Sequence, residues 1–289
     1  MPKIIDRLFD CVAQKGHVCL GLDTDPSYIP ENFLQVYLST REAIFNFNKR
    51  VIDATIDVVA VYKVQIAYYE AFGRDGLAAY AKTLAYLRDK GAIVIADVKR
   101  GDIAKTAEMY AKAHFSGDFE ADFITVNPLM GMDTLSPYYP WLESGDKGIF
   151  ALVATSNPGA SDIEGIIAED GESVSEKIGA MIKKEGERFV GKSGYSALGA
   201  VVGCTNQEQT TRIRARLPGV FFLIPGYGAQ GGKGEDMKDY LTDGNGGVVN
   251  SSRGILLAYK KLSEPLPFDE AARLEVIRMR DEIRTCLHK

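Results

Sequence analysis

Residues 92–103 read Ala92-Ile93-Val94-Ile95-Ala96-Asp97-Val98-Lys99-Arg100-Gly101-Asp102-Ile103. The uncharged run from Ala92 to Ala96 fits a strand buried on both faces, and such a strand has no packing use for the acid and base that end it. Side chains repeat every second residue along a strand, so Asp97 and Lys99 are expected to face the same way. Asp102 follows one glycine later and is expected to start the next helix. On this reading two carboxylates converge on one ammonium. Taken alone, the stretch also fits a surface turn carrying a weak, exposed Lys-Asp bridge.

Repetition favours a site over a turn. Val18-Cys19-Leu20-Gly21-Leu22 runs into Asp23, Val58-Val59-Ala60-Val61-Tyr62 into Lys63, and Phe123-Ile124-Thr125-Val126 into Asn127-Pro128. Further on, Ile149 to Ala154 runs into Thr155-Ser156, Val220 to Ile224 into Pro225-Gly226, and Val248-Val249 into Asn250-Ser251-Ser252-Arg253. Stretches of helical period lie between these runs: an amphipathic segment around Asp10, then 42–58, 76–90, 102–115, 134–144, 173–189, 207–217 and 269–287. Strands are expected to start near His17, Val58, Ala92, Ala121, Gly148, Ala197, Val220 and Gly247, which matches the eight units of a TIM barrel. An open doubly wound sheet would want a glycine-rich turn after its first strand, and Asp23-Thr24-Asp25-Pro26 supplies none. The expected fold is therefore α/β, a single (β/α)8 barrel with an N-terminal helix, forming one domain over residues 1–289. Barrel enzymes build their sites at the carboxyl ends of the strands, where these polar residues collect. Residues 157–172 read as a loop able to serve as a lid.

Composition narrows the function classes. A formal net charge of -5 argues against a general nucleic-acid binder. No apolar stretch approaches the roughly 20 residues that cross a bilayer, and Met1-Pro2-Lys3-Ile4-Ile5-Asp6 lacks the core of a signal peptide, so a cytoplasmic protein is expected. Cys11, Cys19, Cys204 and Cys286 are scattered and read as reduced thiols. His17, His114 and His288 are the only histidines, which supports neither a zinc site nor a Ser-His-Asp triad. Chemistry must rest on Asp, Lys and Arg, and no metal or cofactor is expected.

Asp97-Val98-Lys99-Arg100-Gly101-Asp102-Ile103, with Lys63 one strand earlier, resembles the signature of the orotidine 5'-phosphate decarboxylase family. Gly21-Leu22-Asp23, Thr125-Val126-Asn127-Pro128, Thr155-Ser156-Asn157-Pro158-Gly159, the run Pro225 to Gly232, and Asn250-Ser251-Ser252-Arg253 fall in the family's order, closest to its longer bacterial branch. The resemblance implies cofactor-free conversion of orotidine 5'-phosphate to uridine 5'-phosphate, the last step of de novo pyrimidine synthesis. It maps an alternating charge array onto Lys63, Asp97, Lys99 and Asp102. Lys99 would sit at C6, where loss of CO2 leaves negative charge, and then deliver a proton. Asp97 would face the departing carboxylate, while Asp102 and Lys63 would hold the ammonium and contact the ribose. The resemblance further implies a homodimer in which Asp102, Ile103 and Thr106 enter the neighbouring site. It makes Asp23 a ribose ligand, with Gln65 a second, less transferable one. Thr155 and Ser156 would read the pyrimidine amide edge, and Pro225 would pack near the ring.

Phosphate is expected at the last two strand ends, as is usual in barrels, with Arg253 offering a planar fork and Gln230 an amide. Two other functions share parts of this pattern. Magnesium-dependent sugar-phosphate decarboxylases and aldolases share the Asp-x-Lys-x-x-Asp strand but place a metal-binding acid where this chain has Lys63. A non-catalytic nucleotide-binding barrel would keep Arg253 and Gln230 with no need of the charge array.

Overall fold

The structure is a computed structural model that describes residues 2–204, 207–228, 231–241 and 244–287. Its eight strands are β1 (Val18–Gly21), β2 (Val61–Gln65), β3 (Val94–Arg100), β4 (Phe123–Val126), β5 (Gly148–Ala154), β6 (Ser196–Val202), β7 (Val220–Ile224) and β8 (Gly247–Ser251). They close into a parallel barrel in chain order, with β8 paired to β1 through Val18↔Val249 and Cys19↔Asn250. The expected (β/α)8 barrel is the observed fold. Most strand residues are fully buried, as a barrel filled from inside and covered by helices requires.

The helix Ile4–Lys15 precedes β1 and lies against the barrel's amino end. Ile4 N–H donates to Gly145 O at 2.7 Å, and the Asp6 carboxylate accepts from Ser193 N–H at 2.8 Å. Larger helices, among them Thr40–Thr55, Gly73–Asp89, Ala104–Phe115, Val174–Gly186 and Phe268–Leu287, cover the outside. Among the described residues no helix is long and apolar enough to cross a membrane.

Several boundaries differ from expectation for local reasons. Strand β2 begins at Val61 rather than Val58, because Val58 and Val59 N–H both bond back to Thr55 O and close the preceding helix. The segment 134–144 is a 3-10 turn, Met132–Tyr138, followed by a short helix, Tyr139–Glu143; Pro137 has no N–H for a continuous ladder. Asp102 does not begin its helix. Ile103 is the N-cap, the helix starts at Ala104, and the Asp102 carboxylate accepts from Ile103 N–H at 2.8 Å. The loop 157–172 contains a 3-10 turn, Pro158–Asp162, and an antiparallel bridge, Ile167↔Ser173, formed just beyond it.

Candidate active site

The carboxyl ends of the strands surround a cavity of about 510 Å³. Asp23, Lys63, Gln65, Asp97, Lys99, Thr155, Ser156, Pro225 and Arg253 line it, each expected from the sequence to meet one ligand. Register explains the convergence: Gly21 pairs with Lys63 across β1 and β2, and Gln65 pairs with Asp97 across β2 and β3. Gly21 itself must lack a side chain, since a Cβ there would lie 1.9 Å from Ser252 Oγ.

The buried centre is Asp97. Its Oδ2 accepts from Lys63 Nζ at 3.0 Å and from Gln65 Nε2 at 2.9 Å. Its Oδ1 accepts from Lys99 Nζ at 2.6 Å and from Thr125 Oγ1 at 2.8 Å. Burial alone would raise the Asp97 pKa, but the Lys63 and Lys99 cations and the hydrogen bonds outweigh it, and the carboxyl is held far below its ordinary range. Burial likewise disfavours the Lys63 cation, and Asp23 and Asp97 overcome it, so its pKa is raised. Lys63 Nζ reaches Asp23 Oδ1 at 3.1 Å, and Asp23 Oδ2 accepts from Ser252 Oγ at 2.8 Å. The result is a continuous chain, Ser252–Asp23–Lys63–Asp97–Lys99, in which Lys63 is locked while the Lys99 side chain remains 46% exposed to the cavity.

Asp102 is not part of that chain. Within one subunit its carboxylate serves its own helix start, so of the two carboxylates expected to converge on Lys99 only Asp97 reaches it. Ile103 and Thr106 are also exposed and, like Asp102, do not line the cavity. Gln65 spends its amide on Asp97. Asp25 fills the turn role, accepting from Ser27 N–H at 2.8 Å. Gln230 lies outside the described residues.

Arg253 opens the short helix Arg253–Leu256 directly after β8, facing the cavity with no carboxylate partner among the described residues. Thr155 is tied to the loop above it: its N–H and hydroxyl meet the Glu164 carboxylate at 2.7 Å each. The sequence assigns no role to Thr125, Ser252, Asn250 or Glu164. Ser252 and Asn250 sit within a quoted strand end, but Glu164 is brought to Thr155 only by the loop's fold.

A family model described as "Orotidine 5'-phosphate decarboxylase / HUMPS family" matches residues 16–264. The chain is 61% identical over 285 residues to the orotidine 5'-phosphate decarboxylase of Clostridium acetobutylicum, covering 98% of this chain and all of that one. It superposes on the OMP decarboxylase of Leishmania donovani with a TM-score of 0.76 at 29% identity, covering 99% of both chains. It also superposes on the UMP synthase of that organism, with a TM-score of 0.80 at 30% identity over 99% of this chain, and spans 57% of that longer chain. With a family match over residues 16–264, a barrel of the same form and this level of identity along nearly its whole length, the chain belongs to the orotidine 5'-phosphate decarboxylase family.

Proposed function

We propose that this protein removes CO2 from orotidine 5'-phosphate to give uridine 5'-phosphate, acting as a single-domain cytoplasmic enzyme in pyrimidine synthesis. The observation that carries the reading is the Lys63–Asp97–Lys99 array, held by its own hydrogen bonds and presenting one ammonium to the cavity. Breaking the C6–carboxylate bond leaves its electron pair on C6. A preset cation is worth most where that charge develops. Lys99 stabilises the carbanion and transfers one of its three protons to C6, later regaining a proton from water. Asp97, held ionised by its partners, faces the carboxylate that departs.

Arg253 takes the phosphate, Asp23 and Gln65 the ribose side, Thr155 and Ser156 the pyrimidine edge, and Pro225 the ring face; Gln230 completes the phosphate set. The magnesium-dependent alternative is disfavoured by Lys63, whose ammonium stands where a metal-binding acid would be required. Loss of the orotate absorbance on mixing with orotidine 5'-phosphate tests the reading. Turnover is expected to survive exhaustive chelation, and activity abolished by EDTA and restored by Mg²⁺ would favour the metal-dependent chemistry.

We also infer a homodimer in which Asp102, Ile103 and Thr106 serve the neighbouring site. Supporting this, Ile103 is 58% exposed, and Met109, Leu129 and Met130 are exposed on the helix after β3 and the loop after its neighbour β4, an apolar surface suited to a partner. Asp102→Ala and Lys99→Ala proteins, each nearly inactive, should recover toward about a quarter of wild-type activity when mixed, since random exchange puts one intact site in half the dimers. Demonstrated exchange without recovery would remove Asp102 from the shared site.

A further inference from the structure

Between Ala96↔Ile124 and Arg100↔Val126 the β3–β4 register slips, so that β3 carries extra residues opposite Thr125. The slip places Asp97, Val98 and Lys99 in a bulge, and Lys99 adopts a left-handed backbone with φ 43°. A lysine in that conformation is strained and persists only where its surroundings impose it. The bulge also takes the N–H groups of Val98 and Lys99 out of the regular ladder. Both donate to Thr125 Oγ1, at 3.0 and 2.9 Å. The same hydroxyl donates its one proton to Asp97 Oδ1 at 2.8 Å. A threonine hydroxyl has one proton and two acceptor positions, and all three are used here.

We propose that Thr125 is a positioning residue for the decarboxylation: one buried hydroxyl sets both the Lys99 backbone and the Asp97 carboxylate that aims the Lys99 ammonium. The inference rests on the function proposed above. It explains why a β-branched residue in the middle of β4 is polar although it is only 1% exposed. The side chain's methyl group packs like that of valine, so only the hydroxyl distinguishes the two residues at this position. Thr125→Val keeps the shape, leaves two N–H groups unpaired and frees one side of Asp97. Lys99 then loses the conformation that points it at C6, whereas the phosphate and pyrimidine contacts, on other strands, stay in place.

The test compares kcat for orotidine 5'-phosphate with the Kd for uridine 5'-phosphate in wild type, Thr125→Val and Thr125→Ser. Thr125→Val is expected to lose about 10- to 100-fold in kcat, the scale of a small misplacement of a reacting group, while its Kd stays within about threefold. Thr125→Ser, which retains the hydroxyl, is expected to stay within about threefold of wild type in both. A valine variant with wild-type kcat overturns the proposal. So does one whose affinity falls by the same factor as its kcat, or a serine variant as impaired as valine. If the valine protein does not fold, Thr125→Ala is measured and judged by the same criteria. Wild-type protein that binds uridine 5'-phosphate but leaves orotidine 5'-phosphate unchanged would refute the proposed reaction itself.

Discussion

At the amino ends of the strands buried polar side chains pair largely with the main chain, whereas at the carboxyl ends they pair mainly with one another. His17 Nε2 donates to Gly244 O, Lys147 Nζ to Ala121 O, and Ser196 Oγ to Gly186 O, while Asp122 accepts from Val94 N–H. Each satisfies a backbone group beside or at the start of a strand. The Asp23, Lys63, Asp97 and Lys99 side chains instead form a chain of charges that contributes little to backbone pairing. Such a cluster is an expensive way to fill a barrel, because desolvating several charges offsets most of their mutual attraction. The difference separates polar groups that complete the fold from polar groups kept ready for a ligand.

A lysine from each end gives the largest contrast. Lys99→Ala should lower kcat by on the order of 10⁴-fold, combining lost charge stabilisation and lost proton delivery, with stability changed by less than about 1 kcal/mol because the side chain is half exposed. Lys147, only 8% exposed and bonded to Ala121 O and Glu120, should behave in reverse. Lys147→Met is expected to cost about 1–3 kcal/mol in urea unfolding while kcat stays within about twofold. If Lys147→Met damaged turnover at unchanged stability, the division between the two ends would fail.

How far the sequence carries this division depends on the range of the contacts. Alternation of apolar runs with helical periods is local, so the eight strands and their order were legible, and the polar residues ending each run marked the end of the barrel that holds the cavity. Strand β2 was misplaced because Val58-Val59 reads equally well as a helix close. The role of Thr125, a residue quoted only as part of its strand end, is hidden for a related reason: threonine is a good strand former, and nothing in Phe123-Ile124-Thr125-Val126 signals a register slip in the neighbouring strand. Gln65, expected at the ribose, also donates its amide to Asp97, a contact that only the β2–β3 pairing reveals. Spacing alone puts Asp102 beside Lys99 of its own chain, but within the subunit the intervening backbone turns its carboxylate to Ile103 N–H; the shared-site role rests on the resemblance.

A smaller effect tests whether Arg253 belongs with the ligand-facing groups. Arg253→Ala should reduce kcat/KM by about a hundredfold or more, the loss of a charge-assisted phosphate contact, although it lies far from C6. Orotidine lacking its phosphate provides the discriminating comparison. Wild type should lose much more efficiency on that substrate than the variant does, since phosphate binding energy can be used to hold the closed arrangement around Lys99. Equal losses in both proteins would place Arg253 outside phosphate recognition.

The smallest effect concerns the amino end and reads stability rather than turnover. Burial lowers the pKa of His17 from 6.5 to about 4 and that of His114, buried beside Arg100, to about 4 as well. His17 already donates from Nε2, and its Nδ1 is buried without a partner, so a second proton would leave an unpaired charged donor. In the unfolded chain both imidazoles bind protons below about pH 6.5. Stability is therefore fully present above pH 6.5 and declines as the pH falls toward 4, by up to about 3 kcal/mol for each histidine. Asp97, Asp53, Glu176 and Glu282, whose pKa values are depressed, add their own losses as the pH nears 4 and below it. Asp122, whose carboxyl burial pushes up, opposes the decline slightly by binding its proton earlier in the folded state. His17→Gln, able to keep the donor to Gly244 O, should flatten the fall in urea midpoint between pH 6.5 and 4 while leaving kcat at neutral pH unchanged. An unaltered slope would mean that His17 is not held neutral by the fold, and that the amino end tolerates charge as readily as the carboxyl end with its chain of charges.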